Sequence, residues 1–179
     1  MLALLLAGML FSASSVLAYV LPSTGRQECY SYTERIPCPK PGEEFYGQDG
    51  NYHMGLALSF RNNGDGTITD LNTGLIWEIE TPAPSSGGDY YSARAFCEYS
   101  DRHGADDWRV PAILEYLSVM DKSLLADPDN PMTGAQNSPY YSSTRYLVNQ
   151  LGFWVYHANG DTEPVSQLDS HSVRCVRGA

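Results

Sequence analysis

Short runs of alternating apolar and polar residues, broken every few positions by Asn, Gly and Asp, fill residues 57 to 78. They run Ala57 to Arg61, a turn at Asn62-Asn63-Gly64-Asp65-Gly66, Thr67 to Asp70, a turn at Asn72-Thr73-Gly74, then Leu75-Ile76-Trp77-Glu78. Gly and Asn supply the positive φ that tight turns need, so the pattern predicts successive hairpins. The periodicity then becomes helical. Asp89 stands where it caps a segment in which Ala93, Phe96, Cys97 and Ser100 share one face, ending near His103-Gly104. After Pro111, the positions Ile113, Leu114, Leu117, Met120 and Leu124 predict a second helix, with Glu115 in its first turn. Its cap position holds Ala112, which has no side-chain acceptor. Half of a capping box is therefore absent, at a cost of about 1 kcal/mol unless another group compensates. From Ala126 to Pro139 the composition turns to Asp, Asn, Pro and Gly, a loop. Strands are expected again at Tyr140 to Ser143, Phe153 to Ala158, Thr162 to Ser166 and Ser172 to Arg177, with a turn at Asn159-Gly160. Helices in the middle of a strand-rich chain predict an α+β domain.

The ends of the chain change the picture in two ways. Leu2 to Phe11 is an almost pure Leu/Ala/Gly/Met/Phe run, and Val16-Leu17-Ala18 offers a small-residue cleavage site. Residues 1–18 thus read as an export signal, although they lack the usual basic start, and the run is too short to span a membrane. Residues 19–55 are rich in Pro, Gly, Tyr and Glu and are expected to be an irregular arm, leaving 56–179 as the main domain. Leu21-Pro22-Ser23-Thr24-Gly25 spells a wall-sorting string, but at the wrong end and without a following apolar tail. The four cysteines are Cys29, Cys38, Cys97 and Cys175, with no CxxC and no Cys/His cluster. Behind an export signal an even count reads as structural disulfides. Cys29 and Cys38 are near neighbours flanked by Pro37 and Pro39, and pairing them leaves Cys97 for Cys175. The expected location is secreted, periplasmic or at the cell surface.

The net charge of −10 argues against non-specific nucleic-acid binding, which needs clustered Lys and Arg. Thirteen tyrosines, with pairs at Tyr90/Tyr91 and Tyr140/Tyr141, favour a recognition surface, because tyrosine offers a flat apolar face and a hydroxyl at little entropic cost.

Taken in order, Asn63-Gly64-Asp65-Gly66-Thr67-Ile68-Thr69-Asp70, Asn72-Thr73-Gly74-Leu75-Ile76-Trp77, Asp107-Trp108-Arg109-Val110-Pro111, Tyr141-Ser142-Ser143-Thr144 and Val173-Arg174-Cys175-Val176-Arg177-Gly178 resemble the Lcl C-terminal domain family over roughly residues 57 to 178. That family takes its name from the C-terminal domain of a bacterial collagen-like adhesin. The resemblance implies an exported or surface bacterial domain, with a shape related to C-type lectins and formylglycine-generating enzymes. It implies two helices packed on a twisted, mainly antiparallel sheet, disulfide-bonded, with Trp77, Trp108, Arg109 and Pro111 as structural motif residues. It also implies binding of sulfated glycans and host or matrix components, which the negative charge of this member counters. Two positions depart from the pattern. Ala112 stands where a Thr usually follows the proline, and Tyr141 where the family commonly has Trp.

Catalytic readings find little support in the residues. His53, His103, His157 and His171 are scattered, without the spacing that puts two imidazoles on one helix face. No GxSxG elbow and no glycine-rich phosphate loop occur, and the pairs Asp106/Asp107 and Asp127/Asp129 read as solvated loop acids. An oxidase of the formylglycine-generating type would need Cys97 and Cys175 as free thiols. Aligning Gly66 with the glycine of an EF-hand loop puts Arg61 and Asn72 at its first and last ligand positions, so a calcium loop is not expected. The sugar-site strings of calcium-dependent lectins are absent, Glu163-Pro164-Val165 being the nearest. Asp127-Pro128-Asp129-Asn130 has hard oxygen ligands but no fixed further partner. The expectation is a non-catalytic, adhesin-like module without metal or cofactor, recognising a carbohydrate or an extracellular protein. Its candidate ligand residues are Tyr140, Tyr141, Arg145 and Tyr146, placed on a long loop over 126–150. The alternative is a structural protein-interaction module of an extracellular assembly.

Overall fold

The computed structural model describes residues 23, 25–79, 88–119, 130–131, 139–148, 152–157 and 160–178. The expected export signal and most of the 126–139 loop lie outside these residues, as do Met120, Leu124, Asp127, Asp129 and Asn159.

The described strands form three antiparallel sheets, where a single sheet is expected from the resemblance. In the arm, β1 (Cys29–Tyr30) pairs with β2 (Arg35–Ile36), followed by one helical turn, α1 (Asp49–Tyr52). The arm is thus more ordered than its composition predicts. Gln48 acts as a third strand, its amide accepting from Tyr30 N at 2.9 Å and donating to Tyr30 O at 2.7 Å.

The second sheet has the order β3 (Phe60–Asn62), β4 (Thr67–Asp70), β5 (Ile76–Glu78) and β9 (Val176–Arg177). Its two turns are held by aspartates acting locally. Asp65 accepts from Thr67 N (3.0 Å) and Thr67 Oγ1 (2.6 Å), and Asp70 from Asn72 N (2.9 Å) and Thr73 Oγ1 (2.5 Å). Side-chain oxygens placed two or three residues before an N–H mimic a backbone turn, and all four bonds lie inside the NGDGT and DLNT strings. Gly66 (φ 90°) is obligatory on a second count, since a Cβ there would lie 2.6 Å from a carbon of the His103 ring.

The third sheet has the order β6 (Tyr140–Tyr146), β7 (Gly152–Tyr156) and β8 (Thr162–Ser166). The pairing of β6 with β7 shifts register between Tyr141, opposite Val155, and Arg145, opposite Phe153. The bulge has a purpose that can be read from its bonds. Ser142 Oγ donates to Trp154 O at 2.7 Å, Ser143 N donates to Pro111 O at 2.7 Å, and Thr144 Oγ1 accepts from Ile113 N at 3.0 Å. Residues displaced from the ladder thereby fasten the start of the second long-sequence helix to the sheet.

Two helices lie between the sheets in sequence. In α2 (Tyr90–Glu98), Asp89 caps Ser92 N at 2.9 Å, and Tyr90, Ala93 and Cys97 are buried. The α3 helix (Ile113–Ser118) buries Tyr116 and Ser118, with Val119 just after it, whereas Leu114 and Leu117 are exposed. The predicted apolar stripe is therefore rotated, because one buried tyrosine anchors the helix and two leucines are left outside. Ala112 contributes no cap, but its N–H is taken by Glu115 Oε2 at 2.7 Å and Thr144 serves the next N–H. The cap that Ala112 cannot provide is offset at Ile113 by a hydroxyl from β6.

The core has two parts. One gathers Tyr90, Ala93, Cys97, Trp108, Val110, Tyr141, Phe153, Val155, Val173 and Cys175; the other Leu75, Trp77, Tyr116, Val119, Tyr140, Tyr156 and Val176. Between them runs the last segment. Ser172 bonds to Pro139 and Tyr141, Val176 exchanges both backbone bonds with Arg109 at 2.9 Å, and Cys175 O accepts from Glu78 N. The Cys97–Cys175 bridge, 78 residues apart in sequence, ties this segment to α2, while Cys29–Cys38 closes the arm.

Two stability predictions follow from these links. The double variant C97A/C175A is expected to lose about 4 to 5 kcal/mol of unfolding free energy, the loop-closure value for a bridge of this span. Denaturant unfolding measures it, and a loss below about 1 kcal/mol would show that backbone pairing alone holds the segment. Thr144→Val removes the donated cap at constant shape and is expected to cost about 1 kcal/mol; an unchanged midpoint would mean water replaces the hydroxyl.

Candidate ligand-binding site

The motif residues converge on the scaffold. Trp108 is buried and its indole N–H donates to Arg102 O at 2.9 Å. Arg102 itself pairs with the buried Glu78 carboxylate at 2.7 Å and lies 4.0 Å from the Phe96 ring centroid. Arg109 grips Glu115 with both ends of its fork, each bond 2.7 Å, and the same carboxylate holds Ala112 N. Pro111 is buried and presents its carbonyl to Ser143. Trp77 is buried, 5.5 Å from the Tyr116 ring.

His103 Nδ1 lies 2.6 Å from Asp65 O, and a carbonyl only accepts, so this nitrogen carries a hydrogen and Nε2 faces Glu78 at 3.7 Å. The four groups lock the first hairpin turn onto the segment that precedes Trp108.

The tyrosine pair also belongs to the scaffold, which corrects the expectation that it meets ligand. Tyr140 and Tyr141 are each 0% exposed. Both start β6, a strand that extends through Tyr146 where a loop is expected, and the strand sends them into the two halves of the core. Tyr141 packs edge-on to Tyr90 at 5.5 Å and His171 at 5.1 Å, and its hydroxyl is 2.7 Å from Asp169 O and 3.1 Å from Ser166 O. Burial pushes its pKa well up, so it stays a neutral donor. Tyr140 lies under the guanidinium of Arg174, 5.8 Å from it. No ring face of either is open to a sugar.

Arg145 and Tyr146 are placed differently. Beyond the bulge β6 emerges from the core, leaving Arg145 exposed and Tyr146 half-buried. Arg145 lies 5.6 Å over the Phe153 ring, and among the described residues no carboxylate pairs with it. Tyr146 meets Trp154 edge to face at 5.7 Å. Trp154 is the single half-buried position of β7, since Phe153 and Val155 point into the core, and it sits opposite the exposed Pro164 of β8. The result is a platform of Tyr146, Trp154 and Pro164, with Arg145, opposite Phe153, on the other face of the sheet. Next to it in sequence, Leu147 and Val148 are 79% and 80% exposed. Trp154 was not among the candidates read from sequence. Its signal was the alternation in Phe153-Trp154-Val155, which sends the indole to the face opposite two apolar neighbours.

Among the described residues no three His, Cys, Asp or Glu side chains gather as metal ligands, and no helix is long and apolar enough to cross a membrane. Cys97 and Cys175, the thiols an oxidase reading needs, are bonded to each other.

The fold and site together define a disulfide-bonded α+β domain whose strongest sequence motifs build the core and whose open aromatic face lies on β6 to β8. The family model of the Lcl C-terminal domain matches residues 66–177, and the chain belongs to that family. No curated protein matches the chain.

One titration follows from the packing around Tyr141. Burial lowers the pKa of His171, against the pull of Asp169 and Glu163 and with the push of His157. The folded state therefore prefers the neutral imidazole. Its contribution to stability is fully present above the ordinary histidine value of about 6.5 and is lost as the pH falls toward the lower folded value. Comparing denaturant midpoints at pH 7.5 and 5.5, the wild type is expected to lose more than His171→Asn; equal losses would assign the pH dependence to other groups.

Proposed function

We propose that this chain is an exported, non-catalytic binding module that recognises a carbohydrate through the Tyr146 and Trp154 face of β6 and β7. The observation that carries the reading is the half-buried aromatic pair Tyr146 and Trp154, edge to face on one side of the third sheet beside the exposed Pro164. Sugar rings offer C–H faces to aromatic planes, and a platform held by a hydrogen-bonded sheet loses little entropy on binding. The long bridge from the middle helix to the final strand is the one that C-type-lectin-like folds use, and two disulfides are compatible with an oxidising compartment. A chain charge of −10 favours neutral or mildly acidic glycans over densely sulfated ones.

The neighbouring Leu147 and Val148 favour the second reading, an extracellular protein-interaction module, because two adjacent open aliphatic residues suit a protein surface better than a sugar.

A glycan array probed with the chain from Tyr19 onward separates the two. Selective binding is expected, lost at least tenfold in Trp154→Ala and Tyr146→Ala and unchanged in Arg145→Ala, whose side chain lies on the other face of the sheet. A blank array, with pull-down of a partner abolished by Leu147→Asp, would replace the carbohydrate reading by the protein one.

A further inference from the structure

The two disulfides differ in access, and the difference makes one of them a chemical site. Cys97 and Cys175 are both 0% exposed, inside the core. In the arm, Cys29 is 0% exposed but Cys38 is open to solvent, and both line a cleft of about 370 Å³ together with Gln27, Glu28, Arg35, Ile36 and Pro37. The Arg35 guanidinium at this cleft is paired to Glu28 at 2.6 Å, both groups partly exposed. A cleft of this size is in the range that holds a small molecule. Attack on a disulfide requires a thiolate to reach one sulfur, so accessibility decides both which bridge reacts and which sulfur is hit.

We infer that the Cys29–Cys38 bridge is a thiol-exchange site, taking a small external thiol at Cys38. The incoming thiolate forms a bond to Cys38 Sγ and the Cys29–Cys38 bond breaks. Cys29 leaves as the thiolate, and the mixed disulfide on Cys38 keeps the oxidation level of the original bridge. Return of Cys29 to Cys38 expels the small thiol and restores the closed arm; a second external thiol attacking the mixed disulfide completes reduction and leaves with the first as their disulfide. Arg35 and Glu28 line the cleft as an ion pair, so access to Cys38 rather than a net charge directs the thiol.

The consequence is local. Opening the bridge leaves the arm held by the two-residue β1–β2 pairing, the Gln48 amide and the exposed Glu28–Arg35 pair. The arm carries the aromatic contacts Tyr32 with Phe45 at 4.8 Å and Tyr46 with Tyr52 at 5.8 Å, so exchange changes an aromatic surface while the main domain stays closed. The arm lies before residue 66, where the family match begins.

The test uses the intact chain and reduced glutathione as the probe, under anaerobic conditions at pH 8, with acid quench, iodoacetamide labelling and peptide mapping over time. The expected product carries glutathione on Cys38 and a carbamidomethyl group on Cys29. It forms at least tenfold faster than any opening of Cys97–Cys175, while the near-ultraviolet circular dichroism of the buried Trp77 and Trp108 is unchanged. Absence of a Cys38 adduct, an adduct mainly on Cys29, or opening of the two bridges at similar rates overturns the inference. A glycan-array result moves independently of this outcome.

Discussion

Everything in the main domain hangs on the last segment, residues 171 to 177, which is stitched into both sheets and bolted to α2. It bonds to β6 at Ser172, to β5 and the Arg109 segment at Val176, and to α2 through Cys175. Along it, Val173 and Cys175 face one half of the core, and Val176 faces the other. A segment with so few ladder bonds would not hold two sheets by hydrogen bonding alone, since each bond contributes only about 1 kcal/mol net. The covalent tie and the burial on both sides make it the seam of the domain.

The cost of that arrangement falls on Arg174. Alternation sends its side chain inward, where it is 1% exposed, and its Nε and Nη1 have no hydrogen-bond partner. Burying a guanidinium with two of its nitrogens unmatched is unfavourable, and burial lowers its pKa even though Tyr140 hydrogen-bonds to it. The aromatic half of the core answers this. Tyr140 places its ring face 5.8 Å away, Tyr116 donates to the Arg174 carbonyl at 3.2 Å, and Tyr116 stacks on Tyr156 at 5.0 Å. A desolvated cation over a ring is stabilised by about 2 kcal/mol, which offsets part of the desolvation. Three of the tyrosines that composition suggests for recognition are used instead to enclose a cation and its neighbouring backbone.

Local chemistry was legible in the sequence, and long-range geometry was not. The hairpin turns follow from Asp, Asn, Thr and Gly within a few residues of each other, and the Asp89 cap from one residue before a helical pattern. The pairing of Cys97 with Cys175 followed from the proximity of the other two. The register shift in β6 was not legible, because Ser142, Ser143 and Thr144 look like ordinary strand residues until Pro111 and Ile113 stand beside them. That one bulge decides the site. Before it Tyr140 and Tyr141 are core, and after it Arg145 and Tyr146 reach the surface. Nothing in the residues around Arg174 announced a buried cation, since an Arg between two valine-containing runs reads equally well as an edge-facing charge.

A division of labour explains why the recognisable strings and the open face do not coincide. Pro111 is bound to Ser143 and Arg109 to Val176, and Trp108, Tyr141, Val173 and Cys175 share one half of the core, so changes there disturb the seam. Residues past the bulge carry no such duty. Arg145 lies only over Phe153, and Trp154 contacts Tyr146 on the outside while its carbonyl alone serves Ser142. A face built this way can vary in chemistry without cost to folding, because the backbone positions it and the side chains are free to select. The arm follows the same logic one step further out. Its order comes from Gln48, Asn51 and one bridge rather than from the core, so it too can change while the seam remains intact.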